Sequence, residues 1–315
     1  MPGKRIGLII NPYARLVKKK YLADGRRFWE VMLAPGRYQL PDGIEQIPFA
    51  LENLLEEEID VLGILGGDGT MHIVLQELLK MNPGRIPAIL PFRGGTINAV
   101  CNNIGIKDEP QETLRKFLEF KNTEISQTFK HLLRIEEAEQ KDFLQYGFTF
   151  ANGVFPKIFQ EYYSYKEPGF GAALRLILKI FTLGLVNPGY VSRLISPVEM
   201  KVLSRGKEII SGRIRVLAVS TLESPTLWWK PFGPELDGRP CFHYLANAMS
   251  NREVIFNMFD LFVGRCQHPR HLVGEASQLE VECDTGYVLD GELYRVGEHL
   301  WVKIELGPAL RFIVV

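Results

Sequence analysis

The sequence predicts an α/β domain followed by a mainly β domain, and three observations carry that prediction. From Arg5 to about Phe120, short apolar runs alternate with segments of helical periodicity. After about Gln127 the texture changes to period-two segments separated by turn residues. The chain has 315 residues, enough for two cores, and its 46% hydrophobic and 23% charged residues are ordinary for a globular protein. The linker falls around Asn122–Gln127, dividing the chain into residues 1–126 and 127–315.

Taken in order, Ile6–Ile10 has the pattern of a buried strand and ends at Asn11-Pro12. Glu45–Glu58 reads as a helix and Val61–Leu65 as a second strand. Met71–Lys80 reads as a second helix, with Met71, Leu75 and Leu78 on one side and Val74 and Leu79 beside them. Asn82-Pro83-Gly84 stops that helix, and Ile86–Phe92 is the third strand. Such alternation implies a parallel sheet with right-handed crossovers, whose ligands bind beyond the carboxyl ends of the strands. In the second part, Thr128–Ile135, Phe143–Phe150, Val198–Leu203, Ile214–Ser220 and Leu279–Cys283 read as strands. The clearest alternation comes last, where Val302, Ile304 and Leu306 alternate with Trp301, Lys303 and Glu305. Helices interrupt this largely antiparallel domain near Phe155–Tyr165, Gly171–Leu185 and Arg252–Val263.

Composition narrows the function classes. With 37 basic and 37 acidic residues, the formal charge is zero and gives nucleic acid no support as a partner. Cys101, Cys241, Cys266 and Cys283 form no C-x-x-C pair, which suits a reducing compartment and argues against a zinc ribbon or a disulfide frame. The apolar run near the N-terminus is too short for a secretory signal, and no run reaches the roughly 18 residues of a membrane span. The expectation is a cytoplasmic protein.

Two loops point to chemistry. Gly66-Gly67-Asp68-Gly69-Thr70 lies between an apolar strand and a helix. Backbone N–H groups at a helix start attract phosphate, and glycine allows close approach. Asp68 then reaches phosphates through Mg²⁺ or works on an incoming hydroxyl. The same residues also fit a tight turn with an Asp helix cap. A second loop, Arg93-Gly94-Gly95-Thr96-Ile97-Asn98, again joins a strand to a helix, with Thr96 and Asn98 as short polar contacts and Arg93 as added charge. The alternative there is a turn with a Thr cap. Neither a P-loop nor a Rossmann fingerprint is present.

In Asp290-Gly291-Glu292, an extended chain would align the two carboxylates on one face, suiting a general base with a partner, although Asp-Gly is more often a hairpin turn. Asp237-Gly238 reads either as a hairpin turn or as a loop holding a hard cation. Gly171–Leu185 is apolar apart from Arg175 and Lys179 at i, i+4, the pattern of a buried helix with snorkelling cations or of an interfacial helix. Trp228-Trp229-Lys230 favours a boundary between water and apolar surroundings. Lys18–Lys20 reads as a solvated face, and His268 with His271, whose spacing could bind a metal, more readily as a surface loop.

As an ordered set, these pieces resemble the catalytic region of the diacylglycerol kinase and sphingosine kinase superfamily, in particular its soluble bacterial lipid kinases. The resemblance rests on Asn11-Pro12, Gly66–Thr70, Gly95-Thr96-x-Asn98, Pro234-x-x-Asp237-Gly238 and Asp290-Gly291-Glu292, and so spans nearly the whole chain. Met71-His72 is closer to the sphingosine kinase branch. The resemblance implies a nucleotide-binding α/β domain related to that of NAD kinases, then a β-sandwich-like substrate domain, with ATP and substrate in the cleft between them. It implies that Asn11, Gly66, Gly67, Asp68, Gly69, Thr70, Gly95, Thr96 and Asn98 hold ATP. Glu292 is then the proton acceptor, with Asp290 and Asp68 assisting or holding catalytic Mg²⁺. Asp237 binds a structural Mg²⁺ with the backbone carbonyls of Pro234 and Arg239. Separately from the resemblance, the adjacent Trp228 and Trp229 beside Lys230 are the candidates for contact with a lipid surface. Departures fall where the family's G-T-x-N-D-F-A-R becomes Gly95–Asn102, where the first loop reads Asn11–Arg15, and where Tyr38–Pro41 offers no threonine.

The expected activity is transfer of the γ-phosphate of ATP to a lipid hydroxyl, diacylglycerol or a sphingoid-type alcohol, by a cytoplasmic protein in peripheral contact with membrane. The competing readings are an NAD-kinase-like enzyme and a non-catalytic nucleotide- or lipid-binding protein. A homodimer is compatible with the sequence.

Overall fold

Runs of apolar residues flanked by glycine and proline build the first sheet. The computed structural model describes residues 5–18, 29, 32–33, 36–119, 125–164, 195–225, 230–232, 240–295 and 297–315. They fall into two units, Met1–Lys130 with Ala309–Val315, and His131–Pro308.

In the first unit, β1 (Ile6–Ile10), β2 (Tyr38–Gln39), β3 (Val61–Gly66) and β4 (Ala88–Arg93) lie in the order β2-β1-β3-β4, all parallel. Every residue of β1 and β3 is buried, as expected of a parallel sheet with both faces covered. Between and after these strands come α1 (Ile47–Glu56), α2 (Asp68–Met81), α3 (Ala99–Ile104) and α4 (Pro110–Glu119). The helix expected over Glu45–Glu58 is shorter, preceded by a 3-10 turn at Ile44–Gln46. The one expected from Met71 starts earlier, at Asp68, because Gly67 O already accepts the Met71 N–H. It stops at Asn82, which takes the left-handed conformation at φ 44° before Pro83-Gly84.

The second unit has two sheets. One contains β6 (Gln140–Gly147), β5 (Ser126–Glu137), β16 (Leu300–Val314), β13 (Gln278–Cys283), β8 (Val198–Ser204) and β9 (Lys207–Ile214). The other runs β12 (His271–Ala276), β11 (Phe242–Asn247), β10 (Val216–Ser220), β7 (Thr149–Gly153), β14 (Tyr287–Leu289) and β15 (Glu292–Tyr294), antiparallel throughout. Their inner faces share one core, with Leu133, Val202, Val281 and Val302 from one sheet and Phe150, Leu217, Phe242 and Tyr287 from the other. The alternation expected near the C-terminus holds: Val302 and Ile304 are buried while Trp301 is exposed. The far end of β16 belongs to the first unit, where Phe312 pairs in parallel with Ile89.

Two expected strands divide, each for a visible reason. Phe143–Phe150 breaks before Thr149 because the N–H groups of Phe148 and Thr149 turn to the Asp290 carboxylate. Ile214–Ser220 breaks at buried Arg215, whose N–H bonds Asn247 O at 2.7 Å and whose Nε donates to Met249 O. After α5 (Phe155–Tyr163), the helix expected over Arg252–Val263 is two short helices, α6 (Asn251–Phe256) and α7 (Met258–Phe262). Asn257 separates them, its Nδ2 donating to Glu253 O at 2.8 Å, the local bonding by which Asn competes with helix. Among the described residues no helix is long and apolar enough to cross a membrane.

Candidate active site

Three loops meet beyond the carboxyl ends of β1, β3 and β4. Asn11 follows β1, and its N–H donates to Leu65 O at 2.9 Å. Its Oδ1 accepts the Tyr13 N–H at 2.9 Å, an Asx turn, and its Nδ2 donates to Thr70 Oγ1 at 2.8 Å. Thr70 in turn lies against Gly66, where an added Cβ would stand 2.4 Å from Thr70 Cβ. The second glycine loop is laid directly on the first. Gly94 N–H donates to Gly66 O at 3.0 Å, and a Cβ on Gly95 would stand 2.5 Å from Gly67 Cα. These glycines therefore answer first to backbone-on-backbone packing.

The polar side chains fix that arrangement. Asn98 sits in the left-handed region at φ 53°, ψ 50°, a conformation Asn tolerates better than most residues. Its Oδ1 accepts the Gly95 N–H at 2.9 Å and its Nδ2 donates to Gly95 O at 3.0 Å, so the buried amide closes the loop on itself. No side-chain cap is present on α2, and Asp68 instead caps its neighbour, Oδ1 accepting the Ala99 N–H at 2.7 Å. Asn102 donates to Ile97 O at 2.9 Å and accepts from Arg93, which also donates to Ile106 O. The asparagine read as a departure from the family pattern is thus a strut of the loop. Cys101 lies beneath: burial, with the charge of Asp68 adding, pushes its thiol up to about 12 and keeps it protonated.

Beside these loops is a cavity of about 360 Å³ whose lining includes Arg15, Arg93, Lys107, Thr96 and Asn98 and also the carboxylates Asp108 and Glu109. Arg15, Lys107 and Thr96 are exposed, and Asp108 is bound by Lys116 Nζ at 2.6 Å. With Asp108 held by Lys116, three cations stand against Glu109 around a glycine turn with an exposed hydroxyl, a lining with excess positive charge that can take a phosphorylated anion. Arg15 and Lys107 were missed by sequence reasoning. Arg15 stood within the Asn11–Arg15 loop and had a visible signal; Lys107 is brought in by the turn at Gly105, φ 86°, and had none.

In the second unit, Asp290-Gly291-Glu292 is a hairpin turn. Asp290 (φ 49°) and Gly291 (φ 96°) link β14 to β15, and Leu289 pairs with Glu292. Of the two readings open to the sequence this is the hairpin turn, not the extended chain in which both carboxylates share a face. The left-handed pair reverses the chain, and the Asp290 carboxylate turns to Phe148 N–H, Thr149 N–H and Thr149 Oγ1, at 2.8–3.1 Å. A Cβ on Gly147 would stand 2.8 Å from Asp290 Oδ2, so glycine there leaves room for that carboxylate. Glu292 is half-buried beside aromatic rings. Tyr163 donates to Gly291 O at 2.8 Å, and burial, then the charge of Glu292, pushes its phenol up to about 12. Tyr294 is pushed up to about 12 by burial and then by Glu292 and Asp290. Below them Tyr287 donates to Glu137 Oε1 at 2.8 Å, and Arg295 Nε to Glu137 Oε2 at 3.0 Å, an interior pair that anchors the hairpin.

Pro234, Asp237 and Arg239, the expected metal loop, lie outside the described residues, as do Trp228, Trp229 and the Gly171–Leu185 helix. Among the described residues there is no cluster of three or more His, Cys, Asp or Glu able to hold a metal ion.

A parallel α/β unit with an antiparallel β region is a fold that solved diacylglycerol kinase and NAD kinase structures share with this chain. Residues 5–128 match the family model of the diacylglycerol kinase catalytic domain, and over that span the resemblance read from the motifs holds. The crystal structure of a diacylglycerol kinase from Bacillus anthracis str. Sterne superposes with a TM-score of 0.62 at 13% identity, covering 99% of this chain and 97% of that one. A second structure from the same organism reaches 0.66 at 13% identity with the same coverage. An NAD kinase from Archaeoglobus fulgidus, solved in complex with ATP, gives 0.50 at 15% identity, covering 97% and 92%. At these identities the structures show the fold. No curated protein matches the chain.

Proposed function

We propose that this protein is an ATP- and Mg²⁺-dependent lipid kinase that transfers the γ-phosphate to a lipid hydroxyl, diacylglycerol or a sphingoid-type alcohol. The observation that carries the reading is the interlocked pair of glycine loops beside a cavity lined by Arg15, Arg93 and Lys107, inside the span that matches a diacylglycerol kinase catalytic domain. In this reading Gly66, Gly67, Gly69 and Gly95 present backbone to the nucleotide, and Thr70 and Asn11 hold the first loop in shape. Thr96 and the three cations meet its phosphates, while Asn98 acts by shaping the turn they stand on. A loose phosphoryl transfer needs positioning and charge neutralisation more than covalent chemistry.

Asp68 offers carboxylate oxygen at the head of α2, and Mg²⁺ bound there would neutralise phosphate charge. Glu292 accepts the proton of the acceptor hydroxyl, a contribution of about 10²–10⁴-fold in rate. Asp290 supports it by holding the hairpin against Phe148 and Thr149. Asp237, with the carbonyls of Pro234 and Arg239, is assigned a structural Mg²⁺ on motif resemblance alone, and Trp228 and Trp229 are assigned to lipid contact on their adjacent indoles beside Lys230. The protein works in the cytoplasm at a membrane surface.

A second reading, a nucleotide-binding relative without transfer, draws on the internal bonds of Asp68, Asp290 and Asn98. One assay separates the two. Labelled γ-phosphate is offered from ATP with Mg²⁺ to diacylglycerol, monoacylglycerol, sphingosine, ceramide and NAD, with wild type and Glu292→Gln side by side. Label on one lipid, lost in the variant while ATP binding persists, supports the kinase reading and names the acceptor. Label on NAD overturns the lipid. No label on any acceptor with ATP still bound favours the binding protein, and full activity in the variant removes Glu292 as the base.

A further inference from the structure

A helix packed on a globular unit ordinarily turns its apolar stripe inward. On the segment 251–263 one outward stripe is apolar instead. Phe256 is 87% exposed, Phe259 76% and Val263 37%, the two phenylalanines being the most exposed large apolar residues described. The segment is not a frayed end. Ser250 and Glu253 form a capping box, Ser250 N–H donating to Glu253 Oε2 at 2.6 Å and Glu253 N–H to Ser250 Oγ at 3.3 Å. Asn257 N–H bonds Glu253 O, and Leu261 N–H bonds Asn257 O, carrying the helical course across the break. Spacings of four, three and four then put Arg252, Phe256, Phe259 and Val263 on one side.

We propose that α6 and α7 form a lipid-surface docking element, in which Phe256 and Phe259 enter the boundary between headgroups and acyl chains and Arg252 stays at the level of the phosphates. Two side chains of about 200 Å² each, at these exposures, offer on the order of 400 Å² with Val263. That is about half of the roughly 800 Å² per partner a stable protein interface needs. An interfacial helix needs only an apolar face and cations beside it. The cations are there: Arg252 and Arg265 are exposed, Arg270 is paired with Glu253 at 3.6 Å, and exposed Asp260 is the carboxylate left against them. The proposal rests on the lipid-kinase reading for its purpose, since an acceptor held in a bilayer has to be reached there, but its test does not.

The full chain is sedimented, without ATP, with vesicles of neutral phosphatidylcholine and with vesicles also containing anionic phosphatidylglycerol. Wild type is expected to bind, more strongly to the anionic vesicles. Phe256→Ser with Phe259→Ser should lower the partition by about tenfold or more, and Arg252→Glu should weaken binding to the anionic vesicles alone. As an independent reading, Phe256→Trp should shift its emission to the blue on vesicles. Wild type that stays in solution overturns the proposal. So does a double variant that binds like wild type, which would move the contact to a segment such as Trp228-Trp229. A wild-type dimer that the double variant dissociates, with no vesicle binding, overturns it in favour of a second copy. Because no ATP is present, failure here leaves the kinase reading standing, and failure of transfer leaves this result standing.

Discussion

Replacing Gly95 by alanine tests the interlocked loops at the point where they touch. The new Cβ would lie 2.5 Å from Gly67 Cα and 3.2 Å from Asn98 Oδ1. Carbon atoms prefer 3.5–4.0 Å, so the two loops must part by about 1 Å, and the near neighbour is backbone that cannot rotate aside. Overpacking of this kind costs about 1–3 kcal/mol. The displacement also disturbs the Asn98–Gly95 pair that shapes the turn under Thr96. A shift of about 1 Å in a positioning element can cost on the order of 10² in rate. Gly84→Ala is the matched control, because a Cβ there meets nothing within 4 Å. Thermal melting and ATP titration of both variants are the assays. Gly95→Ala should melt about 2–10 °C lower and bind ATP at least tenfold more weakly, while Gly84→Ala tracks wild type. If both variants melt and bind like wild type, the contact between the loops does not shape the site.

The remaining predictions bear on the hairpin, the loop strut and acid stability. Asp290→Asn should destabilise the protein by about 1–3 kcal/mol, because the amide can accept from fewer of the three donors at Phe148 and Thr149, and denaturant unfolding without ATP reads it directly. Asn102→Ala removes the bond to Ile97 O and the partner of Arg93, and should raise the KM for ATP several-fold with little change in melting. His271 is held below its ordinary pKa, first by burial and then by His268, and its Nδ1 lies 3.2 Å from Asn247 Nδ2, the geometry of a neutral ring accepting a bond. The unfolded chain then binds the extra proton, so stability is full above the ordinary value of about 6.5 and is lost as pH falls through the lower folded value. His271→Gln should flatten melting temperature against pH below about 6.5, and an unchanged slope refutes the assignment.

How far the sequence was legible depended on the range of the interaction. The parallel strands Ile6–Ile10 and Val61–Gly66 announced themselves because burial on both faces demands unbroken apolar runs, and the alternation of Val302 and Ile304 announced a strand buried on one face. The breaks at Phe148 and Arg215 were not legible, since each is caused by partners far along the chain, Asp290 and Asn247. The glycine loops were visible as loops, but not as a pair in contact, because backbone packed on backbone leaves no sequence mark beyond the glycines themselves. Arg15 and Lys107 needed the fold to bring them to one cavity.

The glycine loops are close-packed in this structure, and under the proposed function the same bare backbone also gives room for a phosphate. Stripping side chains from Gly67, Gly94 and Gly95 lets two loops lie within van der Waals contact, and that contact removes most conformations from each of them. Asn98, Asn102 and Asp68 remove more through bonds that need no ligand. A carboxylate occupied in this way first holds α3 and the second loop in place, and under the proposed function its charge also acts on a cation at the phosphates. Asp68→Asn separates the two roles. The amide oxygen can still accept the Ala99 N–H, so melting should change little, while the loss of charge should weaken any Mg²⁺-dependent gain in ATP affinity. A fall in melting temperature with that gain intact would make Asp68 a structural residue alone.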